Sequence, residues 1–289
     1  MFKIIDKFYK NSKSLLFQDI LDFYNKHGYC IVNYLYGANM VKQDLLGEGR
    51  KHNIVLKDVC YQLNFKSILL DSDFLLPDGA AIRTMRKIGK IFKKFDGPSM
   101  IPNLNGTDFL PYFIDKLISR YGSDHIYIYF LTVYDENIGN PKWYLKSRCE
   151  KYVYERFDID KDHVRWYEID YHDENYADWK GRIDIEDTIN NVNKDSYHIF
   201  LNFRGTPYQE IWTYLNKDFI KKNNLILFNQ GGTVDFWVGK ETRAPYWVRK
   251  LRLESIWRLL QHPKKNWKKF LVSFKMIWLI IKKVVLWLK

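Results

Sequence analysis

The sequence predicts an α/β protein with a largely parallel sheet, and two observations carry that prediction. Short apolar runs rich in Ile, Val, Tyr and Phe alternate with segments of helical periodicity. Polar turns containing Gly, Thr or Asp close several of the runs. A third observation sets the scale: 289 residues, 46% hydrophobic and 17% aromatic, suffice for one large domain with a sizeable core. The same composition excludes a disordered or collagen-like polymer.

In chain order, residues 29–36, 67–76, 125–133, 197–203 and 224–229 read as buried strands. Residues 108–121 place Phe109, Tyr112, Phe113, Leu117 and Ile118 near helical spacing, and residues 206–223 do the same with Ile211, Tyr214, Leu215 and Phe219. Residues 80–92 also read as a helix, following the dipeptide Asp78-Gly79. Residues 134–194 are polar, acidic and weakly periodic and receive no assigned element. Neither an internal repeat nor a low-complexity tract is visible.

Charge separates the chain into two parts. The total is 46 Lys and Arg against 34 Asp and Glu, a net +12. From Lys240 to Lys289 there are ten Lys, four Arg and two acids, Glu241 and Glu254, so this segment alone carries the whole +12. It also holds five of the ten tryptophans. A neutral body therefore bears a basic, aromatic tail.

Within the tail, Pro263 suits the first turn of a new helix. Beyond it Trp267, Phe270, Leu271, Phe274, Ile277, Trp278, Ile281, Val284, Val285 and Leu288 recur every three or four residues. Lys268, Lys275, Lys282 and Lys289 lie one heptad apart along one flank. A basic amphipathic helix with Trp on its apolar side fits an interfacial anchor. The expected membrane-contacting residues are Trp267, Lys268, Phe274, Lys275, Trp278, Lys282, Lys283 and Trp287, meeting an anionic surface. Lys275, Lys282 and Lys283 interrupt the only apolar stretch of spanning length, so the tail is expected to lie on a membrane and not to cross it. A helix packed on its own body reads the same way. Basic residues interleaved with aromatics also suit nucleic acids, but the apolar face is too continuous for that reading to lead, and no nucleic-acid partner is expected.

Cys30, Cys60 and Cys149 are odd in number, far apart and outside any metal-ligand spacing, so a disulfide framework or zinc site is not expected. The N-terminal segment carries Lys or Asp every few residues and offers no signal-peptide core. A reduced, cytoplasmic setting is the expectation.

Candidate chemistry gathers at strand ends. Asp78 would lie at the carboxyl end of a strand, where open α/β sheets bind ligands, and a carboxylate there can act as general base on a hydroxyl. An ordinary Asp-Gly turn gives the same dipeptide. Asp71-Ser72-Asp73 matches the short DxD pattern of metal-dependent nucleotide-sugar enzymes, a pattern that arises easily by chance. The segments Asn105-Gly106-Thr107-Asp108 and Gly205-Thr206-Pro207 each open a helix, and Gly231-Gly232-Thr233 follows a strand. Amides exposed at helix starts, with glycines that allow close backbone approach, suit phosphate. Helix capping alone explains each singly. Three such turns in one domain point to an anionic, nucleotide-like ligand.

The run GGTVDFWVGKETRAPYWVRKLRLESIWRLLQHPKKNWKKFL, residues 231–271, resembles the ending of the WecG/TagA/CpsF glycosyltransferase family. LPDG at residues 76–79, GTD at 106–108 and GTPYQE at 205–210 resemble further family signatures in the same order. The resemblance implies a Rossmann-like catalytic domain over residues 1–242 and a membrane-associating helical appendage over residues 243–289. It implies an inverting enzyme, independent of metal or other cofactor, that moves an N-acetylhexosamine-type sugar from a UDP-sugar to an undecaprenyl-diphosphate-linked acceptor. The product would be a cell-surface polymer made at the cytoplasmic face of the membrane, by a peripheral protein. Oligomeric state is left open, a homo-oligomer included.

Residue by residue, the resemblance makes Asp78 the general base and Gln209 a substrate contact. Gly79, Gly106, Thr107, Asp108, Gly205, Thr206, Gly231 and Gly232 would line the cleft. Arg258 matches an appendage arginine placed near the leaving diphosphate. Lys265 and Lys268 stand where two further arginines are usual, keeping charge but losing the bidentate fork. Arg243 is the candidate for holding appendage to body. Asn103 replaces an arginine, Asn33 stands near the position of an N-terminal threonine, Tyr208 replaces a lysine, and TVYDEN replaces a Gly-Gly after the strand at 126–131. These departures bear on donor choice. Two other readings stay open at this point: a metal-dependent transferase using Asp71 and Asp73, and a nucleic-acid-binding or scaffold protein on a decayed transferase fold.

Overall fold

A computed structural model gives the fold. It describes the chain except residues 1–2, 46, 57–58, 80–81, 84–86, 88–101, 103, 135–141, 171–180, 193–194, 240 and 251–253; from 262 onward it describes only Pro263, Lys264, Trp267, Leu271, Val272, Lys275, Trp278 and Lys282. The elements run α1 (Lys3–Asp6), α2 (Lys13–His27), β1 (Cys30–Tyr36), α3 (Gly37–Lys42), β2 (Lys51–Leu56), β3 (Val59–Asn64), α4 (Phe65–Leu70) and β4 (Phe74–Asp78). They continue with α5 (Gly106–Tyr121), β5 (Ile126–Tyr134), α6 (Lys142–Phe157), β6 (Val164–Asp170), α7 (Gly181–Asn191) and β7 (Tyr197–Asn202). The last are α8 (Tyr208–Leu215), α9 (Lys217–Lys222), β8 (Leu225–Asn229), α10 (Val234–Trp237), α11 (Tyr246–Lys250) and α12 (Glu254–Gln261).

Six strands form one sheet in the order β4-β1-β8-β7-β5-β6, every neighbouring pair parallel. Strand residues alternate between two cores, as the period of two requires. Ile226 and Phe228 of β8, Ile199 and Leu201 of β7 and Ile128 and Phe130 of β5 pack with α2, α5 and α6. Leu225 and Leu227, Phe200, and Tyr129 and Leu131 point the other way, into the core shared with α7, α8 and α9. The protein is thus a Rossmann-like α/β fold, a parallel sheet with helices on both faces, which explains why its central strands read as continuous apolar runs.

Local chemistry sets the helix ends. Ser12 Oγ accepts from the Leu15 N–H at 3.3 Å to start α2, and Gly28, at φ 78°, ends it by donating its N–H to the Tyr24 carbonyl. Asn105 caps α5 by accepting from the Asp108 N–H at 2.9 Å.

Three expectations need correction. Residues 67–76 are not one strand: Ser67 to Leu70 complete α4, capped by Asn64, and only Phe74–Asp78 form β4. The apolar run spans a helix end and a strand start, which hydropathy alone does not separate. The helix expected over 206–223 is two, broken at Asn216 between α8 and α9. The unassigned region 134–194 contains α6, β6 and α7. The helix expected at 80–92 falls mostly outside the described residues, although Ile82, Arg83 and Lys87 are helical.

All three cysteines are free thiols, Cys30 and Cys149 buried and Cys60 exposed. Among the described residues no helix is long and apolar enough to cross a membrane, and no His, Cys, Asp and Glu cluster could hold a metal ion.

Candidate active site

A cavity of about 410 Å³ opens at the carboxyl ends of β4, β1 and β8 and beside the loop after β7. This is where a parallel sheet presents its loops and unpaired strand-end groups. Of the residues singled out in the sequence, Asp78, Thr107, Gly205, Thr206, Gln209, Gly231 and Gly232 all line it. They come from positions up to 154 residues apart in the chain.

Asp78 is the last residue of β4 and pairs in register with Tyr36, the last of β1. Gly79 follows at φ 89°, a left-handed conformation natural to glycine, and a Cβ there would stand 3.1 Å from the Tyr36 ring. Gly79 is thus the turn that ends β4 at the cavity.

The floor is a row of buried asparagines. Asn33, Asn229 and Asn202 are register partners on three adjacent strands, all on the α8 side. Asn229 Nδ2 donates to Asn33 Oδ1 at 2.5 Å, and the Thr213 hydroxyl of α8 lies 3.0 Å from Asn229 Oδ1. Asn202 Nδ2 donates to the Gln209 carbonyl at 3.2 Å. Asn33 therefore supports the cavity from beneath, through Asn229.

The two glycine turns touch. A Cβ on Gly231 would come within 3.1 Å of the Gly205 Cα and 3.2 Å of Gln209 Oε1. The Gly231 N–H donates to Gln209 Oε1 at 2.9 Å, locking the turn after β8 to the start of α8. The Thr206 hydroxyl and Gln209 Nε2 both donate to Glu210 Oε1, at 2.8 and 2.9 Å. Burial pushes the Glu210 carboxyl up to about 7.

Next to the Gly231 turn, Gly106 leaves room for Gln230. A Cβ on Gly106 would fall 1.6 Å from Gln230 Oε1, which accepts from the Thr233 hydroxyl at 2.7 Å. Thr107 follows at the start of α5, and Pro111, having no N–H, returns no helical bond to the Thr107 carbonyl.

Asp108 lies elsewhere. Its carboxylate meets Arg243 at 2.7 Å and Arg249 at 3.4 Å, and Arg243 also bonds Glu254 of α12. The Arg243 guanidinium stands 5.5 Å from the centre of the Phe236 ring, a cavity wall residue. Asp108 thus joins α5 to Arg243 and Arg249, in the segment leading to α12, instead of lining the cleft.

Asp71 and Asp73 are also placed away from the cavity. Asp73 Oδ2 accepts from the Ile31 N–H at 2.8 Å at the amino end of β1, and Asp71 pairs with Lys217 at 2.7 Å. Both serve the opposite end of the sheet from the ligand cavity.

Tyr34, Tyr36, Lys42, Asn229, Gln230 and Asp235, which carry no signal in the sequence, are also among the lining residues. Lys42 is the one cation among the described lining residues. Burial holds the Tyr34 hydroxyl well above its ordinary range, so it stays neutral. Asn103, Lys265, Lys268, Phe274, Lys283 and Trp287 lie outside the described residues, as does the side chain of Arg258. In the tail Trp267, Leu271 and Trp278 are helical and about half exposed, at 52, 48 and 57%. Lys275 and Lys282 are exposed beside them, and the Lys282 ammonium lies 5.2 Å from the Trp278 ring centre.

No curated protein matches the chain. A family model described as the glycosyl transferase WecG/TagA/CpsF family matches residues 53–288, a span that holds β4 with Asp78 and both glycine turns. On that match the chain belongs to the WecG/TagA/CpsF family of glycosyltransferases, which act in cell-surface polysaccharide synthesis.

Proposed function

We propose that the protein is an inverting, metal-independent glycosyltransferase that moves an N-acetylhexosamine-type sugar from a UDP-sugar to an undecaprenyl-diphosphate-linked acceptor. The observation that carries this reading is the position of Asp78: a strand-end carboxylate in one cavity with Thr107 and the two glycine turns. In the reaction the acceptor hydroxyl gives its proton to Asp78 as its oxygen attacks the anomeric carbon. The bond from that carbon to the diphosphate oxygen breaks on the opposite face, and UDP leaves with the electron pair. One displacement inverts the anomeric centre.

Gly205 and Gly232, where a side chain would meet nothing within 4 Å, leave open space for a diphosphate, and Lys42 supplies charge suited to it. Arg258, Lys265 and Lys268 are the appendage residues proposed to join them. The exposed Trp and Lys side chains on one side of the tail helix support docking on an anionic membrane, where the lipid-linked acceptor resides.

The test is turnover with a panel of UDP-sugars and a polyprenyl-diphosphate-linked sugar. The Asp78→Asn variant should lose at least about a hundredfold in kcat while still binding donor, in keeping with removal of a general base. Unchanged turnover in that variant would exclude Asp78 as the base.

A further inference from the structure

Glu210 is 1% exposed, and its two oxygens differ sharply. Oε1 accepts from both the Thr206 hydroxyl and Gln209 Nε2, at 2.8 and 2.9 Å. Oε2 is buried with no hydrogen-bond partner among the described residues. A carboxylate so placed dictates which polar atoms its neighbours turn toward the cavity.

The orientation of Gln209 is settled by chemistry. The Gly231 N–H can only donate, so the Gln209 atom 2.9 Å from it is the amide oxygen. Gln209 Nε2 then spends one hydrogen on Glu210 and keeps one. Thr206, having donated its only proton to Glu210, keeps lone pairs.

We propose that Glu210 is a positioning residue that sets the hydrogen-bond polarity of the cavity wall, holding Gln209 as a donor and Thr206 as an acceptor toward the ligand. The ligand chemistry that fits is an oxygen acceptor, a phosphoryl or acyl carbonyl, presented to Gln209 next to a hydroxyl or amide proton presented to Thr206. A nucleotide-linked N-acylated sugar offers both groups, so the inference rests on the proposed function and narrows it.

The arrangement is proton-sensitive. The groups bearing on the Glu210 carboxyl are the Thr206 hydroxyl, the Gln209 amide and its own backbone N–H, all neutral, and burial outweighs them. Of the ionisable side chains on flanking segments, Arg204 in the same loop is itself buried and Lys217 of α9 pairs with Asp71, and neither enters among the causes of the shift. Ionised Glu210 grips both donors strongly; protonated on Oε2, it offers only a carbonyl-like acceptor. The grip on Gln209 and Thr206 therefore weakens as pH falls through about 7.

Two measurements test this, the first without any ligand. In amide-detected NMR the Gln209 side-chain NH2 resonances should titrate with a midpoint near 7 in the wild type and show no such step in Glu210→Gln. In the second, kcat/KM for the UDP-sugar should fall about tenfold at pH 8 in Glu210→Gln and lose its inflection near 7, while the melting temperature at pH 8 is retained. Absence of the Gln209 titration in the wild type overturns the proposal whatever the substrate. Wild-type activity and pH profile in Glu210→Gln overturn it as well, because a purely structural cap would change stability and leave the profile alone. A wild type that shows the Gln209 titration and turns over no UDP-sugar supports the Glu210 assignment and defeats the proposed function.

Discussion

Arg243 and Asp108, 135 residues apart in the chain, are joined at 2.7 Å, and the same guanidinium bonds Glu254 at the start of α12. Asp108 directly follows Thr107 on the cavity wall, and Phe236, under the same guanidinium, lines the cavity as well. One arginine thus ties α12 to α5 and to Phe236 of the cavity wall. Its side chain is 21% exposed and that of Asp108 34%, so the pair is partly shielded from solvent. Arg243→Gln and Asp108→Asn should each destabilise by about 1–2 kcal/mol. In a double-mutant cycle of urea midpoints their coupling should reach about 1 kcal/mol. Additive effects would mean that the contact contributes little to docking.

Gly106 and Gln230 make a second prediction. A methyl at Gly106 would occupy the space of the Gln230 carboxamide, 1.6 Å from Oε1. Gly106 is the first residue of α5 and lies outside the left-handed region, so its backbone accepts alanine. Gln230 must leave its bond to Thr233 and turn elsewhere. Gly106→Ala should therefore keep its melting temperature within a few degrees and lose about tenfold or more in UDP-sugar affinity, read by calorimetry.

These contacts mark where the sequence was legible and where it was not. The central strands and α5 were readable because burial on both faces writes unbroken apolar runs, and a capped amphipathic helix writes its own period. The cavity was partly readable because turns with Gly and Thr after strands have a local signature. Asn33, Asn229 and Asn202 were not readable as a unit, because their pairing depends on strand order, which places β8 between β1 and β7. Glu210 sat inside a recognisable GTPYQE segment, yet its burial and its grip on Gln209 depend on packing that no local pattern encodes. Lys42 looked like one lysine among many until the fold set it on the cavity rim.

Lys42 carries a prediction of its own. It is the sole cation among the described lining residues, which also include the carboxylates of Asp78 and Asp235. For a donor bearing a diphosphate, Lys42→Ala should raise the UDP dissociation constant about tenfold, while Lys42→Arg should largely restore it. Thermal stabilisation by UDP gives the same comparison, since a ligand that binds the folded state raises its melting temperature. Equal stabilisation of wild type and Lys42→Ala would remove Lys42 from phosphate binding.

His198 of β7 predicts an acid-sensitive step in stability. It shares a hydrogen bond with Tyr129 at 2.9 Å, and burial lowers its pKa to about 4 from an ordinary 6.5. Between these values the unfolded chain binds a proton that the folded chain excludes, so stability present above 6.5 is lost progressively as pH falls from 6.5 to about 4. By pH 4.5 the loss amounts to about 2–3 kcal/mol. Urea unfolding of wild type and His198→Gln at pH 7 and pH 4.5 isolates it, because the other titrating groups are common to both. The variant should lose less stability on acidification by about that amount.

The tail gives the last prediction. Trp267, Leu271, Lys275, Trp278 and Lys282 recur at intervals of three and four, so they share one side of a helix. Their exposure leaves indole, leucine and ammonium groups available together. An indole settles at the interface between headgroups and acyl chains, and each lysine near an anionic leaflet adds about 1 kcal/mol. Truncation after His262 should abolish cosedimentation with vesicles containing anionic lipid. In the full chain Lys275→Gln with Lys282→Gln should weaken binding about twenty- to thirtyfold, from about 2 kcal/mol lost. The loss should shrink on neutral vesicles and at high salt, where the lysines contribute little and the tryptophans carry the residual affinity. Salt-sensitive binding of duplex DNA without vesicle binding would instead make the tail a nucleic-acid contact.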